Sequence, residues 1–298
     1  MSTAIDKWIR VIVGHRFEGD VRVGYSETEI VGDVNQIRHE LVREAMRRTG
    51  IPRGIDVLTL ADVPSRGTGL GSSSAVTVGL LNALYGFQGI AKPALALAAE
   101  AAQIEIDVLG KPIGRQDQYA AAVGGCNLIE FMPRGGGVRV SPLITPAGTM
   151  ERLHGHLLLF YTGKSRGSDE ILRNQGKTVA GGTGLDTMIS MRELAYEMRE
   201  RLEYGDVESV GEILRRGWEL KRAAAAGTGT EEIENALERA RRAGATGGKL
   251  LGAGGGGFLL VFASPAAHVN VREELADLRE IPFRFASRGT EILLLEQT

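Results

Sequence analysis

The chain has 298 residues, 43% hydrophobic and 24% charged, long enough to bury a core without disulfides or a structural metal, and its single cysteine, Cys126, excludes an internal disulfide framework and points to a reducing compartment. Thirty-five lysines and arginines against 37 aspartates and glutamates give a net charge of −2, without the basic footprint of a nucleic-acid binder. The longest apolar runs, such as Phe258–Ala263 and Leu157–Tyr161, fall far short of the roughly 20 residues that cross a bilayer.

Residues 5–14 and Val21–Ile30 read as strands. Asp6, Lys7 and Arg10 interrupt what would be the apolar core of a signal peptide, so a cytoplasmic protein is expected. Asp33–Gly50 reads as a helix, with Ile37, Leu41, Val42 and Ala45 at three- and four-residue spacing and Gly50 as its stop. After a short strand, Ile55–Leu60, a glycine and serine loop at Pro64–Ala75 runs into a helix, Ser74–Tyr85. A helix at Pro93–Leu109 precedes the loop Gly110–Gln118, and Cys126–Phe131 and Val138–Val140 read as paired strands. The second half opens near His154 with a strand, Leu157–Tyr161, and a helix near Ser168–Gln175. Charged helices follow at Asp186–Tyr204, Val207–Ala224 and Glu231–Ala243. Gly252–Gly257 then leads into the strand Phe258–Ala263, a helix at Pro265–Leu278 and two closing strand-like runs. The order lacks the steady rhythm of a doubly wound sheet, so two α+β domains are expected, 1–150 and 151–298.

Glycine is the compositional outlier, 41 residues gathered in a few short loops, roughly twice the usual share of about 7%. In Gly67-Thr-Gly-Leu-Gly-Ser-Ser-Ser74 the alternating glycines let backbone approach a ligand, the serines can cap the following helix, and free amides at its start can cradle phosphate oxygens. An ordinary capped turn is the alternative. Gly-x-x-x-x-Gly-Lys-Ser/Thr is absent, because Gly248-Lys249 is followed by Leu250. Gly252–Gly257 formally matches Gly-x-Gly-x-x-Gly, but it opens a strand rather than a helix, which removes most support from a nicotinamide oxidoreductase. It could wall an active site or form a tight turn packed on a neighbouring helix. Glu105, late on an alanine-rich helix, is by default solvated, and Asp117 in Gly114-Arg-Gln-Asp-Gln118 is by default an N-cap. A glycine loop followed by two acids is nevertheless the parts list for holding a magnesium nucleotide and accepting a hydroxyl proton.

These segments resemble the GHMP kinase superfamily of galactokinase, homoserine, mevalonate and heptose kinases. Pro64–Ala75 is similar to its second motif and Gly248-Lys-Leu-Leu-Gly-Ala-Gly-Gly-Gly-Gly-Phe258 to its third. Ala101–Gly125, with Ile104-Glu105, Pro112-Ile-Gly114 and Gln116-Asp-Gln118, more closely resembles the branch that phosphorylates D-glycero-D-manno-heptose 7-phosphate, as do Tyr25-Ser-Glu27 and Tyr161-Thr-Gly-Lys-Ser-Arg166. The likeness runs from about residue 3 to the end.

The resemblance implies a GHMP kinase fold, an α+β N-terminal domain like the second domain of ribosomal protein S5 plus a ferredoxin-like C-terminal domain. It implies ATP and Mg²⁺ as cofactors and a small sugar phosphate as partner; charge and apolar run lengths argue against nucleic acid and membrane, and a monomer or homodimer is expected. Gly67, Gly69, Leu70, Gly71, Ser72, Ser73 and Ser74, with Gly254 and Gly255, would cradle the nucleotide. Ser73, or Ser72 in its place, and Glu105 would hold Mg²⁺. Asp117 would orient or deprotonate the acceptor hydroxyl; with an ordinary pKa near 4 it would act mainly by positioning. Arg166, Arg173 and Gly255 would meet the acceptor, with Lys164, Arg115 and Lys249 as further cations for its phosphate; each charge could instead be a solvated surface group. The expected reaction is phosphorylation of the anomeric hydroxyl of the heptose phosphate, the alternatives being a kinase for a neutral sugar such as galactose or fucose, or a binding homologue without turnover. The family's first motif, a strand and glycine-rich turn, would precede Ala4-Ile-Asp-Lys7, so the first strand is expected to be missing through a start assigned too late.

Overall fold

The computed structural model describes residues 1–64, 67, 69–133, 136–164, 184–224 and 227–294. Packing divides the chain into two compact units, one of Ser2–Ser65, Gly71–Gly125 and Ala286–Thr298, the other of Met1, Arg66–Leu70 and Cys126–Phe285. The division therefore does not follow a single cut near residue 150. The hairpin at Cys126–Pro142 belongs with the second half, tied there by the Tyr196 hydroxyl, which donates to Glu130 at 2.9 Å.

In the N-terminal unit, β1 (Ile9–His15), β2 (Val21–Gly24), β3 (Thr28–Val31) and β4 (Ile55–Ala61) form a sheet of order β1-β4-β2-β3. β4 runs antiparallel to β1 and parallel to β2, and the two-residue period buries Val21, Val23, Ile55 and Val57. The single strand expected over Val21–Ile30 is a hairpin, turned where the Tyr25 amide donates to the Glu27 carbonyl at 2.8 Å. The helix expected from Asp33 is a short 3-10 turn, Val34–Gln36, followed by α1 (Glu40–Thr49). Between them buried Glu29 accepts the backbone N–H groups of Arg38 and His39 at 2.7 and 3.0 Å, satisfying donors that a continuous helix would have paired internally.

α2 (Ser72–Phe87) carries buried Val76, Val78, Leu80, Leu81 and Leu84 and is apolar on nearly every side, as a central helix must be. α3 (Ala94–Ala102) does not continue to Leu109 as expected but widens into one π-helical stretch, Gln103–Val108. α4 (Gln116–Val123) begins inside the segment that reads as a loop.

The second unit contains the hairpin of β5 (Cys126–Phe131) and β6 (Val138–Pro142), α5 (Thr149–Gly155), β7 (Leu157–Tyr161), α6 (Leu185–Glu203), α7 (Val210–Ala224) and α8 (Glu231–Arg242). β8 (Ala245–Leu250), β9 (Phe258–Ala263), α9 (His268–Glu274) and β10 (Arg279–Glu280) complete it. The sheet has the order β10-β7-β9-β8 with every pair antiparallel, the fourth-first-third-second arrangement of a ferredoxin-like fold. Leu158, Phe160, Trp218, Ile233, Leu250, Leu259 and Val261 form its core. Of the two closing strand-like runs, only Arg279–Glu280 is a strand among the described residues; Pro282, which has no amide hydrogen, follows closely. The helix expected near Ser168–Gln175 lies outside the described residues. Among the described residues no helix is long and apolar enough to cross a membrane.

Ala245–Leu250 carries no strand pattern yet forms β8, and this changes the meaning of Gly252–Gly257. These glycines join two antiparallel strands, with Leu250 opposite Leu259. A strand–turn–strand cannot offer a dinucleotide the start of a helix, so the fingerprint reading fails.

Candidate active site

The start of α2 is built for an anion. Gly71 occupies the cap position with φ 69°, no side chain caps the helix, and its first closing bond runs from the Ala75 amide to the Gly71 carbonyl at 2.9 Å. The helix's own carbonyls therefore begin to close only from Ala75 onward, and the amides of its first turn lie at the positive end of a 16-residue dipole. The capping role open to the serines is not taken up: Ser73 Oγ donates instead to Glu105 Oε2 at 2.8 Å. Uncapped amides beside a hydroxyl and a carboxylate are suited to phosphate oxygens and the cation that accompanies them.

Glu105 is not a solvated helix residue. It is 0% exposed, carried inward by the π-helical stretch, and receives Gln118 Nε2 on Oε1 at 3.1 Å as well as the Ser73 hydroxyl. One extra residue in a turn rotates the following side chains, and such bulges gather at functional sites. No lysine or arginine pairs with this carboxylate among the described residues, although a buried charge is costly without a partner. A Glu carboxylate and a Ser hydroxyl are hard oxygen ligands, so the residues present fit Mg²⁺.

Asp117 sits in the first turn of α4, with Arg115 at the cap position, so it is neither a loop residue nor an N-cap. It lies directly on the cap of α2: a Cβ placed on Gly71 would be 3.1 Å from Asp117 Cγ. The protein packed around the carboxyl, and then the negative charge of Glu105, push its pKa up from the usual carboxylate value, which corrects the expectation of an ordinary one. One side of Asp117 stays open to solvent, which tempers that rise and leaves the carboxyl reachable. Ser73, Glu105 and Asp117 are thus gathered at one helix start within a single unit.

Gly67, Gly69, Leu70, Gly254 and Gly255 belong to the other unit. There Gly69, at φ +77°, lies backbone against backbone on the strand turn, where a Cβ would stand 2.5 Å from the Leu251 carbonyl oxygen. Gly254 packs on the Thr228 backbone, and the Gly255 amide donates to the Thr228 carbonyl at 3.0 Å, so the glycine turn is also a packed one. Arg166 and Arg173 lie outside the described residues. Lys164 pairs with Glu232 at 2.6 Å, Arg115 is exposed, and burial pushes the Lys249 ammonium down.

Two polar residues beside these elements have no role in the sequence reading. Gln118 stands in a quoted motif, but nothing in its spacing marks it as buried. Lys221, in a helix of alternating charges, reads as a surface residue. Its Nζ instead donates to the carbonyls of Gly252 and, at 3.4 Å, Leu250, clamping the entry to the glycine turn. Burial, with the charge of Lys249 adding to it, lowers its pKa from 10.5 to about 7. Between those values the unfolded chain holds a proton that the folded chain has released, so this group makes stability rise with pH from about 7, by at most about 1.4 kcal/mol per pH unit. Urea denaturation at pH 7, 8 and 9 should therefore show a steeper rise for the native protein than for Lys221→Met. Parallel lines would mean that the ammonium is hydrated.

The chain matches the description "GHMP kinases N terminal domain" over residues 36–125 and "GHMP kinases C terminal" over residues 192–279, together more than half its length. It is 29% identical over 257 residues to a D-glycero-alpha-D-manno-heptose 7-phosphate kinase of Campylobacter jejuni, covering 84% of this chain and 74% of that protein. A bifunctional L-fucokinase/L-fucose-1-P guanylyltransferase of Bacteroides fragilis is 29% identical over 231 residues, 75% of this chain and 24% of that protein. Among solved structures, a D-glycero-D-manno-heptose 1-phosphate kinase from Bacteriodes thetaiotaomicron superposes with a TM-score of 0.77 at 24% identity, covering 96% of this chain and 86% of that one.

Proposed function

The chain belongs to the GHMP kinase family, and on that premise we propose that it transfers the γ-phosphoryl group of ATP to the anomeric hydroxyl of D-glycero-D-manno-heptose 7-phosphate, with Mg²⁺. That it is a sugar kinase follows from the family and its relatives; the heptose and the anomeric position are the finer part of the reading. The observation that carries it is the placement of Asp117 against the capping glycine of a helix whose Ser73 bonds Glu105.

In this reading the amides at the start of α2 hold phosphate oxygens, and Ser73 with Glu105 would hold Mg²⁺, which when bound neutralises charge on the phosphates. Asp117 orients the acceptor hydroxyl toward phosphorus. As the new O–P bond forms, the bond from phosphorus to the β,γ-bridging oxygen breaks and ADP leaves. The hydroxyl proton passes to the Asp117 carboxylate late in a loose transition state. An anomeric hydroxyl is more acidic than an ordinary alcohol, which eases that transfer. Gly67, Gly69, Leu70, Gly254 and Gly255 are assigned to the nucleotide, and Gly255, Arg166 and Arg173 to the acceptor.

ADP release measured across free and phosphorylated sugars tests the substrate. The heptose 7-phosphate should give the largest kcat/KM, at least about tenfold above galactose and L-fucose, because a site built for a phosphate penalises an acceptor lacking it. A free sugar ranking first would favour the neutral-sugar reading, for which the fucokinase relative speaks. ATP binding without acceptor-dependent ADP release for any sugar would leave a binding protein.

A further inference from the structure

Gln118 is 0% exposed and its two amide atoms have different fates. Nε2 donates to Glu105 Oε1 at 3.1 Å, whereas Oε1 is buried with no hydrogen-bond partner. The orientation is fixed by chemistry, since a carboxylate oxygen accepts and only the NH₂ group of the amide can serve it. An unpaired buried carbonyl is expensive, and an apolar side chain of the same length would fill the space without that cost. The residue is one position beyond Asp117, on the first turn of α4, and the carboxylate it grips is the one bonded to Ser73 at the start of α2. An acceptor with no partner beside two hard oxygen ligands is what a donor brought in with the cation would complete.

We infer that Gln118 is a positioning residue for the metal side of the site: its N–H group fixes the Glu105 carboxylate so that Oε2 stays with Ser73, and its amide oxygen accepts a hydrogen bond from water that enters with the divalent cation. The inference rests on the proposed kinase reading and deepens it. Glu105 then owes its orientation to two donors, one from each flanking helix. Partners of metal ligands typically set metal affinity by 10- to 100-fold.

Mn²⁺ serves as the probe, titrated into the full chain with a non-hydrolysable ATP analogue and followed by the electron paramagnetic resonance signal of the free ion. Gln118→Met should weaken Mn²⁺ binding about tenfold, while its affinity for the analogue in the presence of a chelator stays within about twofold of the native protein. In a Glu105→Gln background the same substitution should add less than about twofold, because the side chain acts through that carboxylate. Native-like Mn²⁺ affinity in Gln118→Met, or an undiminished tenfold loss without Glu105, overturns the inference and leaves the kinase reading standing. A native protein that binds neither Mn²⁺ nor the analogue overturns both. Thermal melts report folding; if Gln118→Met does not fold, Gln118→Asn, which draws the amide back by one methylene, is held to the same outcomes.

Discussion

Asp117→Asn is expected to lower kcat for acceptor-dependent ADP release by about 10³-fold while leaving nucleotide affinity within about twofold. The figure is the middle of the range that a positioned acid–base group contributes. Asparagine keeps the shape that packs on Gly71, so the start of α2 and its amides are unchanged. What it removes is the oxygen able to take the hydroxyl proton and the charge that orients the incoming oxygen. The same substitution removes a negative charge that faces Glu105. Its thermal stability should therefore equal or exceed that of the native protein, since like charges held together at a site are kept for chemistry at a cost to folding. The two readouts separate explanations: a variant that loses turnover and stability together has merely misfolded. A folded variant turning over at nearly the native rate would remove Asp117 from the chemistry.

The strongest parts of the site were legible because their signals are local. Gly67–Ser74 announces a turn entering a helix, and Glu105 and Asp117 stand in Ala101–Gly125, one of the stretches that carry the resemblance. Local signals could not say how the acids are held. Gln103–Val108 has ordinary helix-forming residues, so only its packing, which buries Glu105 completely, tells of the π-helical stretch. Buried Glu29 breaks the helix expected from Asp33 by reaching backbone from a different element, which no window of neighbouring residues reveals. β8 was lost for a related reason. Ala-Thr-Gly-Gly-Lys-Leu has poor strand propensity, and Gly247 serves the close approach of α7: a Cβ there would fall 1.8 Å from the Gly211 carbonyl oxygen. Once β8 is in place, the glycine turn becomes a hairpin and its formal dinucleotide match loses its meaning.

Gly252→Ala is the substitution expected to damage the fold most. Gly252 has φ +69°, and a Cβ there would stand 2.2 Å from Gly69 Cα, so two backbones and no flexible side chain would have to yield. Gly148 in the same unit gives the control, with φ +78° and nothing within 4 Å of its Cβ position. Gly148→Ala should cost about 1 kcal/mol, the left-handed conformation alone. Gly252→Ala adds the collision and should cost about 3 kcal/mol or more, lowering Tm by roughly 6–12 °C for a unit of this size. If Gly69 also walls the nucleotide, as proposed, KM for ATP should rise in Gly252→Ala and stay level in Gly148→Ala, because only the first displaces the Gly69 turn. Lys221 makes the displacement harder to absorb, since its Nζ donates to the Gly252 carbonyl. Equal losses of Tm in the two variants would mean that the Gly69 and Gly252 backbones do not touch.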